Sequence, residues 1–192
     1  MQIADKIHRM FVYVLSYDTG FAPNPQDGYC TLACCKPRIR ESAEVGDWIA
    51  GITPAELGQP LKLCYAMKVT ENPITFADYH NEKRFLGRCD QIYRPINGGR
   101  YQQIPNSFHS EADLLRDTHV DRVLISSHYW YFGGDYVDLP ADMIDGELFK
   151  GGRGHRVTEK SKTIGTFESW LLSISANGVH GVPRKPVLRL HF

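Results

Sequence analysis

Tyr17-Asp18-Thr19-Gly20-Phe21-Ala22-Pro23-Asn24-Pro25, then Cys30-Thr31-Leu32-Ala33-Cys34-Cys35-Lys36-Pro37-Arg38-Ile39-Arg40, then Val45-Gly46-Asp47-Trp48-Ile49-Ala50-Gly51, form one block in the first third of the chain. Two runs, Phe11 to Tyr17 and Tyr29 to Cys35, have the β-branched and aromatic content and the length of strands. The loop between them holds Pro23, Asn24, Pro25, Asp27 and Gly28. Its prolines fix φ, and its Asx side chains bond to nearby backbone. Pro37 cannot donate to a central ladder and ends the second run. Lys36, Arg38 and Arg40 follow at alternate positions, which on an extended chain places them on one side. A stiff polar loop facing fixed cations suits an anionic, hydrogen-bonding ligand.

Outward from this block, Glu41 to Glu44 reads as a turn and Asp47 to Ile52 as the next strand. Leu61 to Thr70 alternates, with Leu63, Tyr65, Met67 and Val69 against Lys62, Cys64, Ala66, Lys68 and Thr70, which predicts a half-buried strand. Phe76, Tyr79 and Phe85 among charges predict a helix over 75–85. Gly87 to Phe108 is rich in Gly, Pro, amides and aromatics and reads as a long irregular loop of the kind that carries function. Ser110-Glu111-Ala112-Asp113 resembles a capping box that starts a helix through about Thr118. Arg122 to Tyr131 is the strongest later strand, ended by Gly133-Gly134, and within it Trp130 and Phe132 share one parity while Tyr131 faces the other way. Helices are expected over 141–149 and 167–174, the latter with Phe167, Trp170 and Leu171 inward. Residues 1–10 read as a lead-in helix or a loose end, and Val187 to Phe192 as an edge strand or a frayed tail.

Strands dominate the first seventy residues without helical crossovers, which argues against a doubly wound parallel sheet. The expected fold is α+β: a small, strongly bent mixed or antiparallel β-barrel with helices packed outside it, forming one domain over 1–192 with its core at roughly residues 11–175.

Composition narrows the function classes. The apolar share of 42% and charged share of 23% are those of an ordinary globular protein. Lys+Arg and Asp+Glu balance at 22 each, so no global basic field draws the chain to nucleic acid, and any such role must rest on a local pocket. No apolar run approaches the length of about 20 residues needed to span a bilayer, and Met1 to Met10 lacks an apolar signal core, so a soluble cytoplasmic protein with no membrane partner is expected. Cys30, Cys34, Cys35, Cys64 and Cys89 are odd in number and lack paired C-x2-C knuckles, so neither a disulfide framework nor a zinc site is expected. Buried free thiols are the simpler reading. Neither a metal nor another cofactor is expected, and nothing in the sequence fixes an oligomeric state.

Gly46-Asp47-Trp48-Ile49 followed by Tyr65-Ala66-Met67-Lys68-Val69-Thr70-Glu71 resembles the strand order of the PUA-like barrels, the group that contains EVE, YTH and ASCH domains. A longer pattern is more specific. Asp18, Gly20-Phe21-Ala22-Pro23-Asn24-Pro25, Cys30-Thr31-Leu32-Ala33, Cys35-Lys36-Pro37, Arg40 and Gly46-Asp47-Trp48 together resemble the nucleotide modification associated domain 2 family. Phe132-Gly133 and Gly152-Arg153-Gly154-His155 are similar to that family's pattern as well. The resemblance implies a modified nucleotide or nucleic acid as partner, in bacterial and phage settings.

A PUA-like barrel of the EVE or YTH kind holds one base among aromatic rings, where stacking is worth about 1–3 kcal/mol per base. Trp48, Trp130, Tyr131 and Phe132 are the cage candidates, with core packing as the alternative for each. Asp18 and Asn24 are candidate edge readers, since an amide offers donor and acceptor and a carboxylate accepts from an exocyclic amine; turn capping is their alternative. Lys36, Arg38 and Arg40 suit a phosphate, or form a solvated strand edge. Arg153, in Gly152-Arg153-Gly154-His155-Arg156, would support an anion nest. A second function class is an enzyme, a transferase or hydrolase acting on a nucleotide or modified base. Cys35 beside Lys36 is then the nucleophile, and His109, His128 or His155 the base, with Ser126-Ser127 adding hydroxyls beside His128. No G-x-S-x-G, H-E-x-x-H or zinc-deaminase signature is present.

Overall fold

The computed structural model describes residues 7–55, 61–144, 147–149 and 154–184. In chain order the elements are β1 (Met10–Val14), β2 (Cys30–Leu32), α1 (Pro37–Ser42), β3 (Trp48–Ile52), β4 (Lys62–Lys68), α2 (Phe76–Asn81), β5 (Tyr93–Ile96), β6 (Arg100–Gln103), α3 (Glu111–Thr118), β7 (Leu124–Ser126), β8 (His128–Tyr131), β9 (Val137–Asp138), α4 (Ala141–Ile144), β10 (His155–Thr158), α5 (Ser161–Ile174) and β11 (Gly178–Val179). Single 3₁₀ turns lie at Lys83–Phe85 and Glu147–Phe149.

The main sheet is mixed, in the order β10-β1-β3-β4-β8-β11, with β9 pairing on β4. β1 runs parallel to β3 and β8 to β11, while the β10–β1, β3–β4 and β4–β8 pairs are antiparallel. The α+β class is therefore correct, but the sheet is open: among the described residues β10 and β11 are its edges and no barrel closes. Alternation along β1 sorts the two faces. Met10 and Val12 join Trp48, Ala50, Trp130 and Phe132 beneath α5. Phe11 and Tyr13 join Ile49, Tyr65, Met67 and Tyr131 beneath α1 and the small β2–β7 pair. The opposite parity of Trp130 and Tyr131 is thus as the sequence predicts. A third cluster, with Phe21, Cys34, Phe76 and Tyr93, lies under α2 and the β5–β6 hairpin.

β4 departs from the half-buried strand expected of it. Leu63, Cys64, Tyr65, Ala66 and Met67 are all fully enclosed, because layers cover both faces of the sheet. Pairing shifts between Gly51 and Ile52, so that Gly51 opposes Tyr65 and Ile52 opposes Leu63. The irregularity resets the parity, leaving Leu63 with the α5 face and Cys64 with the other. Gly51 is required here by close approach: a Cβ would stand 2.5 Å from the Tyr65 ring.

Three further expectations change. Lys36 to Arg40 is not a strand edge but the entry to α1, with Pro37 in the first turn, where its missing N–H costs nothing. The long 122–131 run breaks at Ser127 and serves two sheets: the one Ser126 O–H is shared between the carbonyls of Lys68 and His128, and its oxygen accepts from the His128 N–H (3.0 Å), which turns the chain between them. The 87–108 stretch contains the β5–β6 hairpin, closed through Asn97-Gly98-Gly99 with both glycines at positive φ. The Ser110 capping box and the α3 boundary at Thr118 are as predicted. The Gly46-Asp47 turn also acquires a physical cause. The buried Asp47 carboxylate accepts from the Arg9 N–H (2.8 Å), the Arg9 guanidinium (2.8 Å) and the Glu44 N–H (3.0 Å), joining the entries of β1 and β3. The predictions for residues 1–6, for Arg153 and for Val187 to Phe192 lie outside the described residues.

Candidate active site

Between β2 and α1 the chain turns through Ala33, Cys34, Cys35 and Lys36. Cys35 (φ +61°) and Lys36 (φ +43°) are both left-handed although neither is glycine, a conformation costing about 1–2 kcal/mol per residue. It persists only where the surroundings hold it, and the holding groups are identifiable. The Cys35 N–H donates to Asp117 Oδ1 (3.1 Å), and the Cys35 carbonyl accepts from Arg40 Nε (2.9 Å). The same guanidinium donates to the carbonyls of Asp117 (2.6 Å), Val120 (2.5 Å) and Arg122 (2.7 Å). Arg40 therefore ties the thiol turn to the end of α3 from inside the protein.

His109 directly precedes the α3 cap. Its N–H donates to Asn106 Oδ1 (2.8 Å), and its carbonyl accepts from Gln103 Nε2 (2.8 Å). So fixed, the ring places Nε2 3.2 Å from Cys35 Sγ and Nδ1 3.0 Å from Asp117 Oδ2. The Tyr93 hydroxyl donates to the same carboxylate oxygen at 3.0 Å. The result is a Cys35–His109–Asp117 relay, with a half-buried sulfur at one end and a fully buried carboxylate at the other. Phe21 packs edge-on against the imidazole at 4.9 Å and stacks on Phe108 at 4.5 Å. Phe108 is 40% exposed, so the stacked aromatic pair beside His109 keeps a ring open to solvent.

The electrostatics follow from these contacts. Burial opposes a charge on His109, but the hydrogen bonds to Asp117 and Cys35 outweigh it and push the imidazole up to about 9. Burial likewise works against the Asp117 carboxylate, and the His109 ring with the Cys35 N–H overcomes it, holding the acid below its ordinary value. At neutral pH the relay is an imidazolium between a carboxylate and a sulfur. Lys36 lies close enough to feel Cys35 and is pulled down, first by burial; its Nζ sits 4.3 Å over the Tyr13 ring. Arg116, half exposed, pairs with Asp113 at 2.9 Å and reaches Asp117 Oδ1 at 3.5 Å. Two cations thus flank the thiol.

This arrangement sets a pH dependence. His109 has a folded value of about 9 against 6.5 when unfolded, so its contribution to stability is fully present below pH 6.5 and disappears as pH rises through 9. Denaturant midpoints of the wild type and His109→Gln are expected to differ most near pH 6 and to converge by about pH 10. A gap independent of pH would show that the ring carries no charge here.

The other sequence candidates are distributed elsewhere. Asp18 is buried and accepts from the Tyr131 hydroxyl (2.7 and 2.9 Å) and the Gly20 N–H (3.1 Å). Asn24 is enclosed, donating to Asp90 Oδ1 (3.0 Å) and accepting from Arg88 Nη2 (3.1 Å). Arg88 and Asp90 have no side-chain exposure and also engage Thr31 and Tyr79, so this network locks the Pro-stiffened loop to the turn before β5. Arg40 has no exposed surface, and Trp48 and Trp130 pack 6.0 Å apart inside the α5-face core. Arg38 is exposed on α1. His128 packs edge-on against both of those tryptophans and is lowered by burial. His155 packs on Phe11 at 5.8 Å and is lowered by burial and by Arg38 and Lys36. Among the described residues, the imidazole in reach of Cys35 is that of His109. Asp117 and Tyr93 carried no signal as site residues, since an acid at a helix end and a strand tyrosine are common, and only tertiary packing unites them.

Cys34 Sγ, a His109 nitrogen and an Asp117 oxygen lie within 4.8 Å of one another, a donor set that zinc accepts. As arranged, both His109 nitrogens are engaged, and burial raises Cys34 well above the ordinary thiol range. A metal here would have to displace the relay contacts.

The fold and the relay describe an α+β protein with a thiol site built across a strand-to-helix turn. The model of the family named nucleotide modification associated domain 2 matches residues 7–189, and the chain belongs to that family. No curated protein and no solved structure matches it. No described helix is long and apolar enough to cross a membrane.

Proposed function

We propose that this protein is an enzyme of nucleotide modification that uses Cys35 as a covalent nucleophile on a nucleotide or modified base. The observation that carries the reading is the Cys35–His109–Asp117 geometry, in which nucleophile, base and orienting acid stand at hydrogen-bond distance in sequence. With its proton resting on His109 Nε2, Sγ attacks an electrophilic carbon of the substrate; the S–C bond forms as the bond from that carbon to the departing atom breaks, and His109 Nε2–H gives the proton to the departing atom. His109, now neutral, takes a proton from water or an acceptor hydroxyl, whose oxygen attacks the same carbon. The S–C bond breaks, and the freed sulfur regains its imidazolium partner. The net reaction is hydrolysis or transfer of a group.

Asp117 keeps Nδ1 protonated and holds the ring's orientation. The family description supports a nucleotide-derived substrate, as do the flanking Lys36 and Arg116 for phosphate and the exposed Phe108 face for a base. Recognition of a modified base by Asp18 and Asn24 is less well supported, because both side chains are enclosed and hydrogen-bonded within the protein.

The test is incubation with pools of unmodified and hypermodified nucleotides, followed by mass spectrometry of small molecules and intact protein. A product that depends on the protein, with a mass adduct on the Cys35 peptide after acid quench, is expected. Neither product nor adduct from any pool would sink the reading.

A further inference from the structure

Cys34 takes no part in the relay, yet the strained turn directs it toward the same imidazole. Its side chain has no exposed surface, and its Sγ makes a long hydrogen bond of 3.6 Å to the Asp90 carbonyl. That sulfur, a nitrogen of His109 and a carboxylate oxygen of Asp117 lie within 4.8 Å of one another. Among the described residues no other three His, Cys, Asp or Glu side chains converge so closely. The Asp117 side chain is fully enclosed and that of His109 is 8% exposed. Three different donor types from three segments therefore meet inside the protein, unlike acids that gather on a surface.

The donor types define the ion. A thiolate, an imidazole and a carboxylate suit zinc, which bonds them at about 2.3, 2.0–2.1 and 2.0–2.2 Å. Donors around a tetrahedral ion thus stand roughly 3.3–3.8 Å apart, and these three need to close by no more than about 1.5 Å. His109 Nδ1 and Asp117 Oδ2 are already 3.0 Å apart. Outer contacts of the kind that orient metal ligands are also in place. The Cys35 N–H and the Tyr93 hydroxyl hold the two Asp117 oxygens, and Asn106 and Gln103 fix the His109 backbone.

The charge balance closes as well. Zinc takes the proton of a coordinating thiol outright, although burial favours the neutral form of Cys34. One Zn²⁺ replaces two protons, one from the Cys34 thiol and one from the His109 imidazolium, and both pass to solvent. The three side chains carry no net charge before the exchange, and none with the ion after it. The buried cluster therefore gains no uncompensated charge.

We propose that Cys34, His109 and Asp117 form a zinc site that alternates with the proton relay, its fourth position open to water. A zinc-bound imidazole no longer shuttles a proton for Cys35. Where Cys35 is the nucleophile, as proposed above, the metal-loaded protein is the inactive state. The cysteine spacing gives no sign of this site, because its ligands are 75 and 83 positions from Cys34 in the chain.

Titration of chelator-stripped wild-type protein with Co²⁺, a coloured stand-in for zinc, tests the proposal. A thiolate-to-cobalt charge-transfer band and the visible bands of a tetrahedral ion are expected, and both should disappear when Zn²⁺ is added. Cys34→Ala is expected to lose the charge-transfer band and to weaken zinc binding by about 100-fold or more. Asp117→Asn, nearly the same size, is expected to weaken it by about tenfold or more, so the test does not depend on one core variant folding. Cys64→Ala, which removes a buried thiol elsewhere, should bind as the wild type does. No binding of either ion by the wild type, a charge-transfer band that survives in Cys34→Ala, or its loss in Cys35→Ser overturns the assignment. Retention of the band in Cys35→Ser upholds it whether or not Cys35 catalyses.

Discussion

Cys35→Ser is expected to lower turnover of the nucleotide-derived substrate by about 10³-fold or more, with thermal stability nearly unchanged. A serine hydroxyl fills almost the same space but is a far weaker nucleophile at neutral pH. His109→Ala is expected to cost a comparable factor, and the double variant little more than either, since residues that act as one unit lose their effect together. Additive losses would show instead that the two side chains act separately. Full activity in Cys35→Ser would remove Cys35 from the mechanism.

A substrate-free readout is available as well. Cys30, Cys34 and Cys64 are buried, and burial raises all three thiols; half-buried Cys89 is pushed up to about 11, first by burial. Alkylation with iodoacetamide at neutral pH is therefore expected at a single site, Cys35, beside its imidazolium.

Arg40→Met is expected to be the most destabilising single change outside the aromatic core, by about 3–5 kcal/mol. The guanidinium has no exposed surface, and its four hydrogen bonds satisfy the carbonyls of Cys35, Asp117, Val120 and Arg122. Met removes the buried charge and takes this donor from the carbonyls of Cys35, Asp117 and Arg122, while the Val120 carbonyl keeps the Arg122 N–H (2.8 Å); each orphaned group costs on the order of 1–3 kcal/mol. For a chain of this size the loss corresponds to a melting shift of roughly 6–20 °C. Arg40→Lys keeps the charge, yet a single ammonium cannot reproduce the planar fork, so it should recover less than half of the loss. Urea unfolding with an unchanged m-value reads the effect directly. A loss below about 1 kcal/mol would show that the carbonyls find other partners.

Arg40 also shows how far the sequence could be read. Its position after Lys36 and Arg38 suggests a row of cations on an extended strand, each free for phosphate. Pro37 already contains the contrary signal, being as suitable for a helix start as for a strand end. In α1 the period changes from two to 3.6, so Arg38 turns to solvent while Ile39 and Arg40 turn inward. Asp18 and Asn24 illustrate the other limit. Local sequence identifies side chains that hydrogen-bond in a stiff loop, but their partners Tyr131, Arg88 and Asp90 are 64 to 113 positions away. Cys35 was legible as a nucleophile with a neighbouring cation, but its acid was not legible at all.

The sequence by itself determined the α+β class, most of the strands, the α3 capping box, the opposite faces of Trp130 and Tyr131, and the family, because these rest on local periodicity, turn chemistry and a dense motif. Only the tertiary structure decided that the sheet stays open, that β4 is covered on both sides, and that His109 and Asp117 meet Cys35. Closure, coverage and a three-residue relay all depend on distances between segments far apart in the chain, and periodicity within one segment carries no information about them.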